Sequence, residues 1–584
     1  MHEHKTRNSH VKRATTIPRS PSHCRSLQWR TFRLSDPCFT DHVEQYFIAL
    51  DCPLSLSCLL LFRHGEWRQL VEKDVNPSDF NDAAQFRDAF AAISFLRKYP
   101  DFQTGIDKTA VALDQFAKCE LSCRQVNAMI KSSSWGNKPH DAWLLNATKR
   151  KIEKILHSTN EASQGFDIDF VLDKCSWGPG STLSIKGDDT SASIKFQFEK
   201  NLTRDLYCLY GGVIEKAYPG WIPGMLDGCS FVPGNQIVTV PKNAKTERTI
   251  AIEPGINSFV QSGIGRLIRS RLRSAGFNLN SDRRNQLGAL KGSRDNSLAT
   301  VDFSSASDTI ATGVVEFLLP PFWFSALDDA RSHYYTLGSS APQKFEKFST
   351  MGCGFTFELE SLIFVAAALA VCECLSLPLD DIAVFGDDII IPSAAYELYS
   401  SFCETLGFTV NRRKSFSTGY FRESCGSYYF KGEDVKPLFL KKKVVTVTDL
   451  VGFINAVRNL AHRRNGYYGC DIKLLAVWTQ ANTSLGPFFK GPRDAGDLAI
   501  SSNFDEAAPH KARGQLEGYY YSAWLPRAVT VTHEGTGRLL AGLSSCGNAE
   551  SISFNNAIPL RKVVRYSIKH RVFAPQWYDY GPWC

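Results

Sequence analysis

The chain has 584 residues, 43% hydrophobic and 22% charged, with a formal net charge of +8. That balance excludes disorder over most of the length and a histone-like polycation, and leaves room for several domains or one large multi-lobed enzyme. The 17 cysteines, odd in number and without CxxC pairs, suggest free thiols in a reducing compartment, not a disulfide framework or a zinc site.

Residues 1–20 are polar and basic without an apolar core, so a flexible basic arm is expected there and no signal peptide. Residues 40–165 read as mostly helical, with apolar side chains three and four apart over 83–96 and 142–155. A loop follows at Gly178-Pro179-Gly180, and Gly187-Asp188-Asp189 behind it leads into no apolar run, as a solvated turn would. Residues 234–254 read as strand, basic loop and strand, the loop carrying Lys242, Lys245 and Arg248 at every third position. A helix is expected over 256–272, and a strand over 298–303. After that strand the pattern predicts a helix through Leu319, stopped by Pro320-Pro321.

A glycine-bearing loop from Ser349 through Gly352 to Gly354 opens the next helix, which runs on from Phe357. Its apolar stretch, 359–377, is interrupted by Glu360 and Glu373 and reads as a buried helix, not a membrane span. Ile382-Ala383-Val384 and Ile389-Ile390-Ile391-Pro392 flank Phe385-Gly386-Asp387-Asp388, which predicts a tight β-hairpin with two carboxylates at its tip. Beyond residue 430 strands and helices mix. Residues 450–460 are amphipathic, with Phe453, Ile454 and Val457 on one face. The last stretch alternates Arg561, Lys562, Arg565, Lys569 and Arg571 with Tyr566, Phe573 and Trp577.

Adjacent carboxylates repel, and a cation between them removes the penalty. Mg²⁺ suits the role because it takes a few carboxylates and fills its shell with waters and phosphates. Asp302, at the end of its strand, is the candidate third ligand if that strand lies beside the hairpin; three carboxylates then suit two metal ions. Asp302 reads equally as a helix N-cap. Lys242, Lys245 and Arg248 suit the charges of a nucleoside triphosphate, or face water as an ordinary basic turn. The Ser349–Gly354 loop permits close backbone approach to a ligand, or is a plain helix entrance.

The order of these pieces resembles the RNA-directed RNA polymerases of positive-strand RNA viruses. It is closest to the replicase beta subunit of single-stranded RNA bacteriophages, the leviviruses. The runs that carry the resemblance are 240–254, 299–308, 351–364, 385–388 and 421–426, together covering about 175–440. The resemblance implies an α+β right-hand fold of fingers, palm and thumb, with an antiparallel palm sheet bearing the Gly-Asp-Asp hairpin. Its expected divisions are an arm at 1–20, an N-terminal region and fingers at 21–297 with the basic loop at 240–254, a palm at 298–430, and a thumb and C-terminal region at 431–584.

By the same resemblance Asp302, Asp387 and Asp388 are the catalytic metal ligands for two Mg²⁺, with Mn²⁺ a possible substitute. Lys242, Lys245 and Arg248 line the nucleotide's entry path, and Ser349 and Gly352 are further nucleotide-binding candidates in and beside a 351–356 loop that helps position template or ribose. Asp308 lies near the ribose, where a carboxylate accepts a hydrogen bond from a 2′-hydroxyl. Lys414 is a candidate to protonate the leaving pyrophosphate, or a solvated basic turn. The helix position where many relatives carry a ribose-reading Asn offers here only Glu358 and Glu360, so that role is not carried over. Implied partners are template and nascent RNA, NTPs, host elongation factors Tu and Ts, and a small-subunit ribosomal protein, in the cytoplasm of a bacterial host. The basic-aromatic tail is either an RNA-stacking surface or a segment packed on the thumb. The alternatives are a reverse transcriptase-like polymerase, which the glycine before Asp387 and the position of Asp308 disfavour, and a catalytically silent RNA-binding or scaffold protein.

Overall fold

The structure, a computed structural model, describes residues 36–157, 165–187, 190–218, 221, 228–513, 517–531 and 558–584. The basic arm, Asp188 and Asp189 lie outside them. The chain opens with helices α1 (Asp36–Leu50), α2 (Pro53–Arg63), α3 (Ala83–Ser94), α4 (Lys108–Lys131) and α5 (Asp141–Leu156). Their starts are set by local chemistry. Asp82 accepts from the Gln85 N–H, Asp107 accepts from the Ala110 N–H, and a proline occupies the first turn of α2.

The expected strand–loop–strand forms as β1 (Gly234–Pro241) paired antiparallel with β2 (Glu247–Ile252), followed by α6 (Gly255–Ser274) and α7 (Arg283–Asp295). Next comes β3 (Leu298–Val301). The helix expected to run through Leu319 is much shorter: α8 spans Thr312–Leu318, and only a single 3-10 turn, Ala306–Asp308, lies between β3 and it. The reason is tertiary. The Ser304 N–H donates to the Thr409 carbonyl, Phe303 bridges Val410 and Ala311 bridges Lys347, so both ends of the intervening segment are tied to other parts of the chain, and only the local bonds of one 3-10 turn, Asp308 N–H to Ser305 and Thr309 N–H to Ala306, form between them. Pro320-Pro321 ends the element as expected.

Strand β4 (Tyr334–Leu337) runs parallel to β1. Helix α9 (Thr356–Cys374) is apolar almost all round and lies between α5 and α6, its Leu359, Leu362, Ile363 and Val365 wholly buried. After it, β5 (Ala383–Phe385) and β6 (Asp388–Pro392) form the predicted hairpin, and β3 pairs antiparallel with the other edge of β6. Helix α10 (Tyr396–Thr405) covers this sheet through Tyr399 and Phe402. A second hairpin, β7 (Phe421–Ser424) and β8 (Ser427–Phe430), turns through Cys425 and Gly426, both at positive φ as a type I′ turn requires. Arg422 is wholly buried and ties the two sheets together, donating to the carbonyls of Leu298, Gly419 and Phe421.

The rest of the chain builds α11 (Val447–Arg464) and a long antiparallel ribbon of β9 (Tyr519–Val531) and β10 (Ile558–Ala574). Phe453, Ile454 and Val457 of α11 are buried together, as the amphipathic pattern predicts. They share one core with Phe47, Phe62, Phe86 and Phe95 from the N-terminal helices, and the Phe86 ring stacks on Phe430 at 4.7 Å. Segments far apart in sequence, 43–102 and 421–500, therefore fold as one body. The described cysteines are free thiols.

Candidate active site

The register of β3 on β6 pairs Val301 with Ile389 and Thr300 with Ile390, so the next residue, Asp302, emerges from the sheet beside Asp388. Asp387 sits on the two-residue turn between Phe385 and Asp388. Of the two turn residues only Gly386 has positive φ, +63°, the type II′ pattern that a glycine admits. A Cβ on Gly386 would lie 2.7 Å from the Phe357 ring and 3.1 Å from Glu360 Oε1. The Gly386 N–H donates to Ser361 Oγ, and the Phe385 ring meets Phe357 edge-on at 5.1 Å, so α9 fixes the turn.

Each carboxylate has a different neighbourhood. Asp302 is gripped by Asn411 Nδ2 at 2.8 Å and Lys414 Nζ at 3.1 Å, while Ser415 Oγ accepts its backbone N–H. Burial and the Asp302 charge push the Asp387 pKa up. Asp388 is pushed up to about 6, by burial first and then by the charge of Asp387, with Asp302 and Glu423 adding to it. Lys414 keeps its proton against burial because Asp302, Glu423 and Asp388 surround it. Among the described residues no group of three or more His, Cys, Asp or Glu side chains is drawn together tightly enough to grip an ion as it stands.

The basic loop divides. Lys242, just past β1, is close enough to Asp302 and Asp387 to feel both; burial lowers its pKa, and the charges of Arg248 and Lys414 lower it further. Arg248 stands across from Val240 and also acts on Asp387. Lys245 lies instead among Arg97, Glu72, Arg413 and Asp74. Asn243 shapes the loop by accepting the N–H groups of Lys245 and Thr246.

The sequence matches the family described as RNA replicase, beta-chain over residues 59–515. It is 34% identical over 497 residues to the RNA-directed RNA polymerase subunit beta of Escherichia virus Qbeta, covering 81% of this chain and 82% of that protein. It is 33% identical to the RNA-directed RNA polymerase beta chain of Escherichia phage MS2, covering 79% and 81%.

The chain belongs to the RNA replicase beta-chain family. It is a nucleotidyltransferase, an RNA-directed RNA polymerase. Among solved structures, viral RNA-dependent RNA polymerases match this replicase chain at low identity. The insertion-loop deletion mutant of the RNA-dependent RNA polymerase of a human picobirnavirus matches at a TM-score of 0.33 and 11% identity, over 63% of this chain and 85% of that one. The BmCPV RNA-dependent RNA polymerase at elongation state matches at 0.34 and 13%, over 58% and 32%.

The remaining candidate residues of the replicase chain fall in distinct places. Asp308, on the 3-10 turn after β3, is ion-paired with Lys347. Ser349 is buried, and its hydroxyl has no partner among the described residues. Gly352, at φ +137°, makes its close approach to protein: a Cβ there would run into the Ala251 carbonyl of β2, and the Ala251 N–H donates to the Met351 carbonyl at 2.8 Å. Glu358 pairs with Arg269 at 2.6 Å. Glu360 is buried with an unpartnered Oε2; burial, then the charges of Asp387, Glu358 and Asp308, raise its pKa well above the carboxylate range. In the tail, the side chains of Arg561, Lys562, Arg565 and Tyr566 lie outside the described residues. Lys569, Arg571 and Phe573 are exposed, while Trp577 donates to the Ser502 carbonyl on the body.

Sequence reasoning missed three neighbours of the site. Glu423 lies inside the 421–426 run that carried the resemblance, and alternation in β7 marks it as facing away from buried Arg422. Asn285 donates to the Asp388 carbonyl from α7, and Lys347 pairs with Asp308. Neither of these last two sits in a pattern that singles it out.

Proposed function

We propose that Asp302, Asp387 and Asp388 hold two Mg²⁺ ions, with Mn²⁺ able to substitute, and that this site copies a viral single-stranded RNA genome. The donor set fits a hard divalent cation: all three side chains are carboxylates, and Asp387 and Asp388 are pushed up by burial first and then by mutual repulsion, both of which bound positive charge would offset. Bound there, the ions would acidify the attacking hydroxyl and neutralise the departing phosphates.

The RNA 3′-hydroxyl attacks the α-phosphate of a template-paired NTP, and pyrophosphate leaves. Lys242 and Arg248 offset the triphosphate charge beside Asp387, and Lys414, protonated beside Asp302, is the candidate to give a proton to the departing pyrophosphate. Asp308 accepts from the ribose 2′-hydroxyl. Template pairing reads the sequence, so the protein supplies position and charge.

The observation that carries the reading is the strand register that sets Asp302 beside Asp388. Its test is incorporation of labelled NTPs on an RNA template with Mg²⁺. Asp387→Asn is expected to lower the rate by on the order of 10²–10³. Parental activity in that variant would remove Asp387 from the site, and better use of dNTPs than NTPs by the parent would indicate a reverse transcriptase.

The same resemblance supports association with host elongation factors Tu and Ts and a small-subunit ribosomal protein, testable by co-purification, in the bacterial cytoplasm. Among the described residues no helix is long and apolar enough to cross a membrane.

A further inference from the structure

Lys347 is wholly buried, yet it lies in the chain just before the Ser349–Gly354 loop, where neither strand nor helix demands a lysine. Its ammonium donates to Asp308 Oδ1 at 2.9 Å, lies 3.5 Å from Glu120 Oε1 of α4, and sits 3.8 Å from the centre of the Phe116 ring. A buried ammonium costs several kcal/mol of desolvation, and an apolar residue of similar volume is often as stable or more so. Such a group needs an explanation beyond packing.

The explanation lies in what it holds. Asp308 sits on the short 3-10 turn that follows Asp302, entered through Ser305 at φ +55°. That turn's own bonds fix its backbone and leave the carboxylate alone: the Asp308 N–H reaches the Ser305 carbonyl, the Thr309 N–H and hydroxyl reach the Ala306 carbonyl, and the Asp308 carbonyl takes a weak bond from the Cys123 thiol. The side chain faces a region already rich in negative charge, since Glu360 feels both Asp387 and Asp308. Unopposed, the Asp308 carboxylate would swing away from those neighbours.

Lys347 opposes this, and is itself anchored from two sides. Ala311 bridges Lys347 along the backbone, and Glu120 of α4 both faces its ammonium and accepts the Glu346 N–H at 2.8 Å. Asn127 of the same helix donates to the Glu346 carbonyl.

We propose that Lys347 is a positioning residue for sugar discrimination, holding one oxygen of Asp308 so that its carboxylate meets the 2′-hydroxyl of the incoming nucleotide, with Glu120 of α4 bracing the lysine. This rests on the reading of Asp308 as the ribose contact and adds the device that aims it. A carboxylate that is present but free to rotate would contact ribose and deoxyribose sites with little difference; one held at Oδ1 has a fixed direction for its other lone pairs.

The test is single-nucleotide incorporation by the purified full-length chain, with any host proteins that stay bound, comparing each NTP with its 2′-deoxy counterpart. Lys347→Met is expected to lower the ribose-over-deoxyribose ratio in kcat/KM by about tenfold or more, the scale of one charge-assisted hydrogen bond. The loss should fall on KM for the NTP, with dNTP incorporation little changed. Lys347→Arg is expected to restore part of the ratio, and Lys347→Met combined with Asp308→Ala should lose no more than Asp308→Ala alone. An equal fall for NTP and dNTP in Lys347→Met would show a merely structural lysine and overturn the proposal.

If Lys347→Met does not fold, Glu120→Gln, which keeps the hydrogen-bonding shape but removes the bracing charge, carries the test. It should lower the ratio in the same sense, and an unchanged ratio would overturn the proposal. Asp308→Ala separates the two readings. An unchanged ratio there sinks the ribose role of Asp308 itself, whereas a lowered ratio there with an unchanged one in Lys347→Met sinks only the positioning role.

Discussion

At the scale of single residues, the site is a contest over one patch of negative charge. Asp302 is ion-paired with Lys414 and hydrogen-bonded by Asn411, while Asp387 and Asp388 feel Arg248, Lys242 and Lys414 only through space and repel each other. That imbalance is what a polymerase needs if cation and substrate are to complete the site. The turn that presents the pair depends on one glycine. Gly386→Ala is expected to lower stability by about 1–2 kcal/mol from the positive φ alone, and to cut nucleotide incorporation more than tenfold, because the new methyl must displace Phe357 or Glu360. Thermal melting together with single-turnover incorporation separates the two effects; normal incorporation at reduced stability would show that the tip tolerates movement.

At the scale of elements, a loop and a strand are locked by backbone contact. The Met351–Gly354 segment lies against β2 through the Ala251 bond, and Gly352 is the point of closest approach. Gly352→Ala should therefore lower stability by about 1–3 kcal/mol, the range for overpacking, measurable by denaturant titration, and disturb the basic loop that β2 carries. An alanine variant as stable as the parent would mean that loop and strand separate freely.

Elements with a strong period were legible in advance: the 83–96 and 450–460 helices, the two strands around the basic loop, and the 385–388 hairpin. The helix expected through Leu319 was not, because its apolar spacing is real but the segment is tied at Phe303, Ser304 and Ala311 to distant parts of the chain, which leaves room for only one 3-10 turn between them. Gly352 was legible as special, yet the partner it approaches was not.

At the scale of the whole molecule, the N-terminal helices and the C-terminal body are held by a core and by a buried ionic knot. Arg464 of α11 is bonded to Asp88 of α3 and to Asp471, Lys473 also reaches Asp88, and Arg87 donates to the Arg464 carbonyl. Asp88→Ala leaves a buried guanidinium with only Asp471. The expected loss is about 3 kcal/mol, the low end for breaking a buried pair, seen as a lower melting temperature of the full chain. A loss below about 1 kcal/mol would mean that Asp471 alone satisfies Arg464.

By itself the sequence determined the catalytic vocabulary: an acidic hairpin tip, a second acidic strand end, a basic loop and their order along the chain. These are local patterns, and local spacing sets turn type, strand alternation and helix period. Tertiary structure alone decided which charges meet. It divided the basic loop between two neighbourhoods, gave Asp302 to Lys414 and Asn411, buried Glu360 behind the Gly386 turn, and joined Lys347 to both Asp308 and Glu120. The physical reason is distance. Coulombic and hydrogen-bond energies depend on separation in space, and residues 120, 308 and 347 are brought within reach of one another only when the chain packs.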